Sequence, residues 1–330
     1  MASGQQCRLG AASPCGQQLA LGAESMAVAD GGEKLVTQAE LGVLQNRTTP
    51  PPVVKGWDWN KDVEPKLRAA ALRRMFVSTE MLALRDPQLD PIVTPVADGY
   101  AVFHGPGAMS SFAREVGTSR PISGKELSTL EQFYTDHNCP VRVWVSGRTH
   151  SSLLEMLHGC GYAARSHSLN WVRPLGSDPI SCEHHNIKVL PVAAHLYDRW
   201  IRTVAAGFFE DNESVSPTTI PTSFFDLFFA LGCAPDDQAF LAREHGEFVG
   251  GAVLNVADGI AMLRTASTRF SHRNAGVHQA LLAARLKCAR EQGVRMAVSQ
   301  SPPSGPSAHN LRKFGFQPLC SGYMMEKSIG

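Results

Sequence analysis

The sequence predicts an α/β chain built from two tandem copies of one fold, the first of them degenerate. Two observations lead there, and length permits it. Residues 260–294 read as a strand, a short polar loop and a long amphipathic helix. A helix, a Gly-aromatic pair and a strand then close each half. In the first half these are 153–157, Gly161-Tyr162 and a strand through Trp171; in the second, 311–314, Gly315-Phe316 and a strand over 323–327. At 330 residues the chain has room for two such units.

In order, residues 1–55 are rich in Ala, Gly, Gln and Ser, and read as a loosely docked tail with a short helix near 33–44 and the run Pro50-Pro51-Pro52. Val63, Leu67, Ala70, Ala71, Met75 and Leu82 recur at helical spacing over 63–85. Strands are expected at 91–96 and 99–104, a helix at 124–137, a strand at 141–145, a helix at 151–157 and a strand at 168–172. Gly105-Pro106-Gly107 reads as a plain turn, since Pro106 has no N–H to offer an anion. Gly176 and Pro179 mark a linker at 177–185, dividing a unit at 56–176 from one at 186–330.

The second unit opens with a strand at 187–190, helices near 193–206 and 222–231, and strands at 238–242 and 248–256. Ala257-Asp258-Gly259 is a hairpin turn into the strand 260–268. Val277, Leu281, Ala284 and Cys288 form the apolar stripe of the following helix, with Arg285 and Lys287 read as off the stripe. Gly293 suits a left-handed C-terminal cap. A buried strand at 294–299 and a helix from Ser307 follow, with Ser307 as a natural N-cap.

The chemistry points to the loop 271–278. The first N–H groups of a helix lack internal partners and carry partial positive charge, so a turn that gathers them can hold a phosphate. Gly276 removes the Cβ from that approach, and Arg273 can add a charge-assisted contact.

Arg273-x-x-Gly276, after a strand and opening a helix, resembles the coenzyme A pyrophosphate loop of the GNAT N-acetyltransferases, with His278 at the position where that family has Gly or Ala. The block from Ser307 to Phe316 resembles the family's later helix and Gly-Phe pair. The resemblance implies two GNAT-like domains, each a mixed, mostly antiparallel sheet with helices on both faces, the second transferring acetyl from acetyl-CoA directly to an amine. It further implies coenzyme contacts from the main chain of Ala266, Ser267 and Thr268, and a diphosphate cradle of Arg273, Asn274, Ala275, Gly276, Val277 and His278. Ser307 and Asn310 are candidates to reach the coenzyme arm. Many family members have a Tyr where Leu311 stands here; Tyr323 is the nearest tyrosine and the candidate general acid. Glu210, with Asp211 and Glu213 beside it, is the candidate base for a cationic amine, although such a run also reads as a solvated turn. Phe224, Phe225, Phe228 and Phe229 read as core. Cys288, on an apolar stripe, is a poor nucleophile, so no covalent intermediate is implied. A module that binds an acyl-CoA without turnover is the alternative.

Composition trims the other classes. A hydrophobic fraction of 43% and a charged fraction of 18% describe an ordinary globular chain. A net charge of +1 supplies no general attraction to nucleic acid or an acidic membrane. No apolar run reaches membrane-span length. The cysteines form no C-x-x-C pair, and His184-His185 lacks further ligands, so neither a metal site nor a disulfide scaffold is expected. The expected setting is cytoplasmic, the partners acetyl-CoA and an amine-bearing small molecule or peptide, and the assembly a monomer or homodimer.

Overall fold

The computed structural model describes residues 63–327 apart from 177, 183, 185, 210–221, 233 and 235. The expected tail, the helix at 33–44 and the acidic run at Glu210, Asp211 and Glu213 lie outside the described residues.

The first half holds α1 (Glu64–Arg85), β1 (Ile92–Val96), β2 (Gly99–Phe103), α2 (Gly124–Asp136), β3 (Val141–Ser146), α3 (Ser151–Gly159) and β4 (Ala163–Pro174). The second holds β5 (Ile187–Pro191), α4 (Tyr197–Phe209), α5 (Thr222–Gly232), β6 (Asp237–Glu244), β7 (Glu247–Ala257), β8 (Ile260–Thr268), α6 (Val277–Glu291), β9 (Met296–Ser301), α7 (Pro306–Lys313) and β10 (Gln317–Lys327). The α/β class and the mixed sheet are as the sequence predicts.

Strands β3 to β10 make one eight-stranded sheet in the order β3-β10-β4-β9-β8-β7-β6-β5, while β1 and β2 form a separate hairpin. All neighbours are antiparallel except β8 and β9. The middle of this order is an exchange. β10, from the end of the chain, lies between β3 and β4, and β4 in turn pairs with β9. Each half therefore completes its sheet with the other's last strand.

The alternation of side chains along β7 to β9 splits the core in two. Leu254, Ala261, Leu263 and Ala297 face α6 and α7. On the other side Ile260, Met262 and Val298 meet α1, and Val253 and Leu241 meet α4 and α5. Phe224 and Phe228 are core, with Phe208 stacked on Phe228. α1 is fastened by the buried pair of Arg74 with Asp237, and Arg74 also donates to the Leu231 carbonyl at 2.6 Å.

Two helix ends explain themselves locally. α2 starts with a capping box, the Glu126 N–H donating to Ser123 Oγ and the Ser123 N–H to Glu126 Oε2. α6 ends at the predicted Gly293, which has φ 74°. The stripe along α6 needs one correction. Arg285 is not on the solvent side; it is 1% exposed, wedged between the helix and the sheet. Ser307 also needs one: Gly305 is the N-cap of α7 and Pro306 its first residue, leaving Ser307 exposed in the first turn.

Candidate active site

The site starts from a fault in the sheet. The β7–β8 ladder pairs Gly251 with Ser267 and then Val253 with Arg264, so Thr265 and Ala266 stand opposite Ala252 alone. This is a bulge, and Thr265 takes a left-handed φ of 46°, a strained value for a β-branched residue. Bulges bend a strand and re-aim the residues beyond them. Here β8 pairs with β9 only over Ile260 to Leu263, and past Ser299 the two parallel strands part. Ser299 Oγ donates to the Leu263 carbonyl at 3.1 Å, at the fork. Beyond it the main chain of 264–268 borders the opening. Ser267 turns its hydroxyl away, onto the Val204 carbonyl at 3.0 Å, so only its main chain can serve a ligand there. Gly207 allows α4 this close: a Cβ there would lie 2.7 Å from Ser267 Oγ.

The loop after β8 leads to the start of α6. Phe270 to His272 form a 3-10 turn, and Asn274 and Gly276 both take left-handed φ values, 65° and 90°. Gly276 is the N-cap of α6, with no side-chain cap on the helix start. Arg273 donates to the Gly207 carbonyl at 3.2 Å and lies over the Phe270 ring, tying the loop to the end of α4.

The front of Gly276 is occupied. The His184 ring lies so close that a Cβ on Gly276 would meet three of its atoms at 2.3 Å. His184 Nε2 donates to Gln279 Oε1 at 3.3 Å, and Lys313 donates to the same oxygen at 3.2 Å. Gln279 Nε2 donates to Asn310 Oδ1 at 3.0 Å, and Asn310 Nδ2 to His278 Nδ1 at 3.0 Å. One chain of bonds thus joins the segment before β5, the first turn of α6 and α7. Accepting at Nδ1 leaves the His278 proton on Nε2. Burial, with the Arg285 charge as a second cause, pushes this imidazole down to about 3, so it stays neutral at ordinary pH.

The structure gathers Ala266, Ser267, Thr268, Arg273, Asn274, Ala275, Gly276, Val277, His278 and Asn310 around the fork and helix start. It does not bring Tyr323 there. Tyr323 is 1% exposed, stacked on His167 at 4.4 Å, in the core under α2 and α3. β10 is three strands from β8, about 14 Å at ordinary strand spacing. Glu210 lies outside the described residues. Sequence reasoning missed His184, Gln279 and Lys313, whose shared bond network is a long-range event; it weighed His184 only as a metal ligand. Among the described residues no group of His, Cys, Asp and Glu could hold a metal ion, and no helix is long and apolar enough to cross a membrane.

Residues 205–316 match the model of the acetyltransferase (GNAT) family. This segment belongs to that family. It runs from inside α4 to the end of the Gly-Phe pair, so the GNAT match contains the bulge, the fork, the loop and α7, and leaves out β10 with Tyr323. A GCN5-related N-acetyltransferase from Kribbella flavida is similar in structure, with TM-score 0.54 and 18% identity over 78% of this chain and 96% of its own. A functionally unknown conserved protein from Staphylococcus epidermidis gives TM-score 0.52 and 9% identity over 74% and 96%. At these identities the likeness is one of fold. Its extent exceeds residues 186–330, so the GNAT-like fold continues into the first half. No curated protein matches the chain.

Proposed function

We propose that the protein is an acetyl-CoA-dependent N-acetyltransferase that passes the acetyl group directly to a primary amine. The observation that carries this is the fork between β8 and β9, opened by the bulge and leading to a helix that starts on a bare glycine. The residues fit the coenzyme in kind. The main chain of 266–268 would take the pantetheine amides and the acyl carbonyl, and the first N–H groups of α6 the diphosphate. The His184 ring stands where that diphosphate would come, so in this reading it swings aside when the coenzyme enters.

The amine nitrogen attacks the thioester carbon, the C–S bond breaks, and the proton lost by the amine ends on the thiolate. Oriented N–H groups lower the barrier by stabilising the oxyanion. Glu210 remains the proposed base. Tyr323 is too deep in another part of the core to reach the sulfur, so the acid is solvent or the ammonium itself. Cys288, half-buried with its Sγ donating to Gln238 Oε1 at 3.0 Å, has no part in the transfer. The division into units at 56–176 and 186–330, with a linker at 177–185, belongs to this proposal.

A second reading, an acyl-CoA-binding module without turnover, is favoured by one observation, the distant Tyr323. Coenzyme A release from acetyl-CoA, measured across a panel of amines, amino acids and peptides, separates the two. Release with at least one amine supports the transferase; tight binding with no release supports the module.

A further inference from the structure

Arg285 calls for an explanation that packing does not supply. It is 1% exposed, and burial pushes its guanidinium down to about 9. Among the described residues no carboxylate pairs with it. A buried charge costs several kcal/mol, and an apolar side chain of similar volume would sit there without that cost. What Arg285 does have is three carbonyls. Nε donates to Leu281 O at 3.0 Å, one turn back on its own helix. Nη1 donates to Val253 O and to Arg264 O, each at 3.3 Å.

Those two carbonyls are not arbitrary. Val253 and Arg264 are the register pair at which the β7–β8 ladder resumes after the bulge. The guanidinium therefore brackets both strands beside Thr265, whose left-handed backbone the surroundings must enforce. It also bolts that point to α6, whose first turn forms the far side of the same opening. A flat, multi-donor group can hold two strands and a helix at once; a point charge or a hydrocarbon cannot.

We propose that Arg285 is a positioning residue that fixes the β8 bulge and so aims the main chain of 266–268 at the acyl group. This rests on the acetyltransferase reading for its consequence in catalysis, but not for its consequence in the backbone. The test uses the full chain with Arg285→Met and Arg285→Lys, and Leu286→Ala as a core variant that lowers stability without touching the bulge.

Amide hydrogen exchange without ligand reads the backbone directly. In Arg285→Met the segment 264–268 should exchange at least tenfold faster while β6 keeps its protection; Leu286→Ala should not single out that segment. Coenzyme A affinity, set by the helix start, should stay within threefold, and kcat should fall at least thirtyfold. Arg285→Lys, one donor point in place of a fork, should recover a part of kcat. Wild-type exchange over 264–268 in Arg285→Met overturns the proposal, as does a loss of kcat no greater than that of Leu286→Ala. If the methionine variant does not fold, wild-type exchange over 264–268 in Arg285→Lys overturns it. If the wild type releases coenzyme A with no amine, the acetyltransferase reading fails, and the exchange result still decides what Arg285 does.

Discussion

Both halves run a strand, a loop, a helix and a second strand side by side, yet they treat the helix start in opposite ways. In the first half Ala113 bridges Val143 in parallel, as β8 does β9, and the loop 115–123 leads into α2. Its anion is built in. Asp98 accepts the Gly117 N–H at 2.6 Å, the Ser119 N–H at 2.7 Å and the Ser119 hydroxyl at 2.7 Å, and Ser123 with Glu126 caps the helix itself. In the second half α6 starts on Gly276 without a side-chain cap, faced by an imidazole held through Gln279. One helix start is saturated by charge from its own chain; the other is covered by an imidazole ring hydrogen-bonded to Gln279. The first half keeps the strand, loop and helix while supplying negative charge to its loop from within.

The contrast can be broken by exchanging what each loop holds. Gly276→Glu should have the largest effect, weakening coenzyme A binding at least a hundredfold in calorimetry, because it adds a carboxylate where a diphosphate would sit. Its left-handed φ would add strain of roughly 1 kcal/mol, and its Cβ would push the His184 ring aside, a melting shift of a few degrees or more. Unchanged affinity would sink the site assignment.

Asp98→Ala comes next. It leaves two N–H groups and a hydroxyl without their acceptor, a loss of about 2 kcal/mol in urea unfolding, with coenzyme A affinity unaltered. For Asp98 burial opposes ionisation, but the bonds from Ser119 and Gly117 outweigh it and hold the carboxyl below its ordinary value. Its stabilisation is therefore full above the unfolded pKa near 4 and lost as pH falls through the folded value. A variant whose acid unfolding matches the wild type's would show that the carboxylate matters less than the geometry implies.

His184→Ala should tighten coenzyme A binding by about fivefold, the equivalent of ~1 kcal/mol for a contact no longer displaced. Weaker binding instead would mean that the ring helps to hold the ligand. His278 gives a related reading in pH. It is neutral when folded down to about 3, whereas the unfolded imidazole takes a proton near 6.5. The unfolded state binds more protons between those values, so stability rises with pH across that window. His278→Gln should flatten that slope in pH-dependent melts. Smallest of all, Tyr323→Phe should leave kcat within twofold; a large loss would restore the phenol as general acid.

Most of the fold was legible because it is written locally. Period-two and 3.6-residue patterns, the turn at Asp258-Gly259 and the cap at Gly293 locate the strands and helices of both halves to within a few residues at most ends. β10 and β4 are the loosest, starting six and five residues earlier than expected. Three things escaped for physical reasons. Strand pairing between β10, β3 and β4 depends on contacts over 140 residues apart, which no local period encodes. The burial of Arg285 runs against its type, since charged side chains almost never go inside without a partner. The His184 contact joins the segment before β5 to a helix start, again across long separation. The N-cap at Gly305 was within reach, because Pro306 is the residue that favours the first helical position. Within the site, the sequence located the loop and the strand before it, but not the side chains that hold them in place.

The exchange of β4 and β10 sets the order of events when the chain is made. During synthesis β3 leaves the ribosome well before β10, its ladder neighbour. The first half must therefore wait with an open strand edge until β10 has been made. A first half cut away before β5 would keep that edge exposed, and would be expected to seek a second molecule to close it.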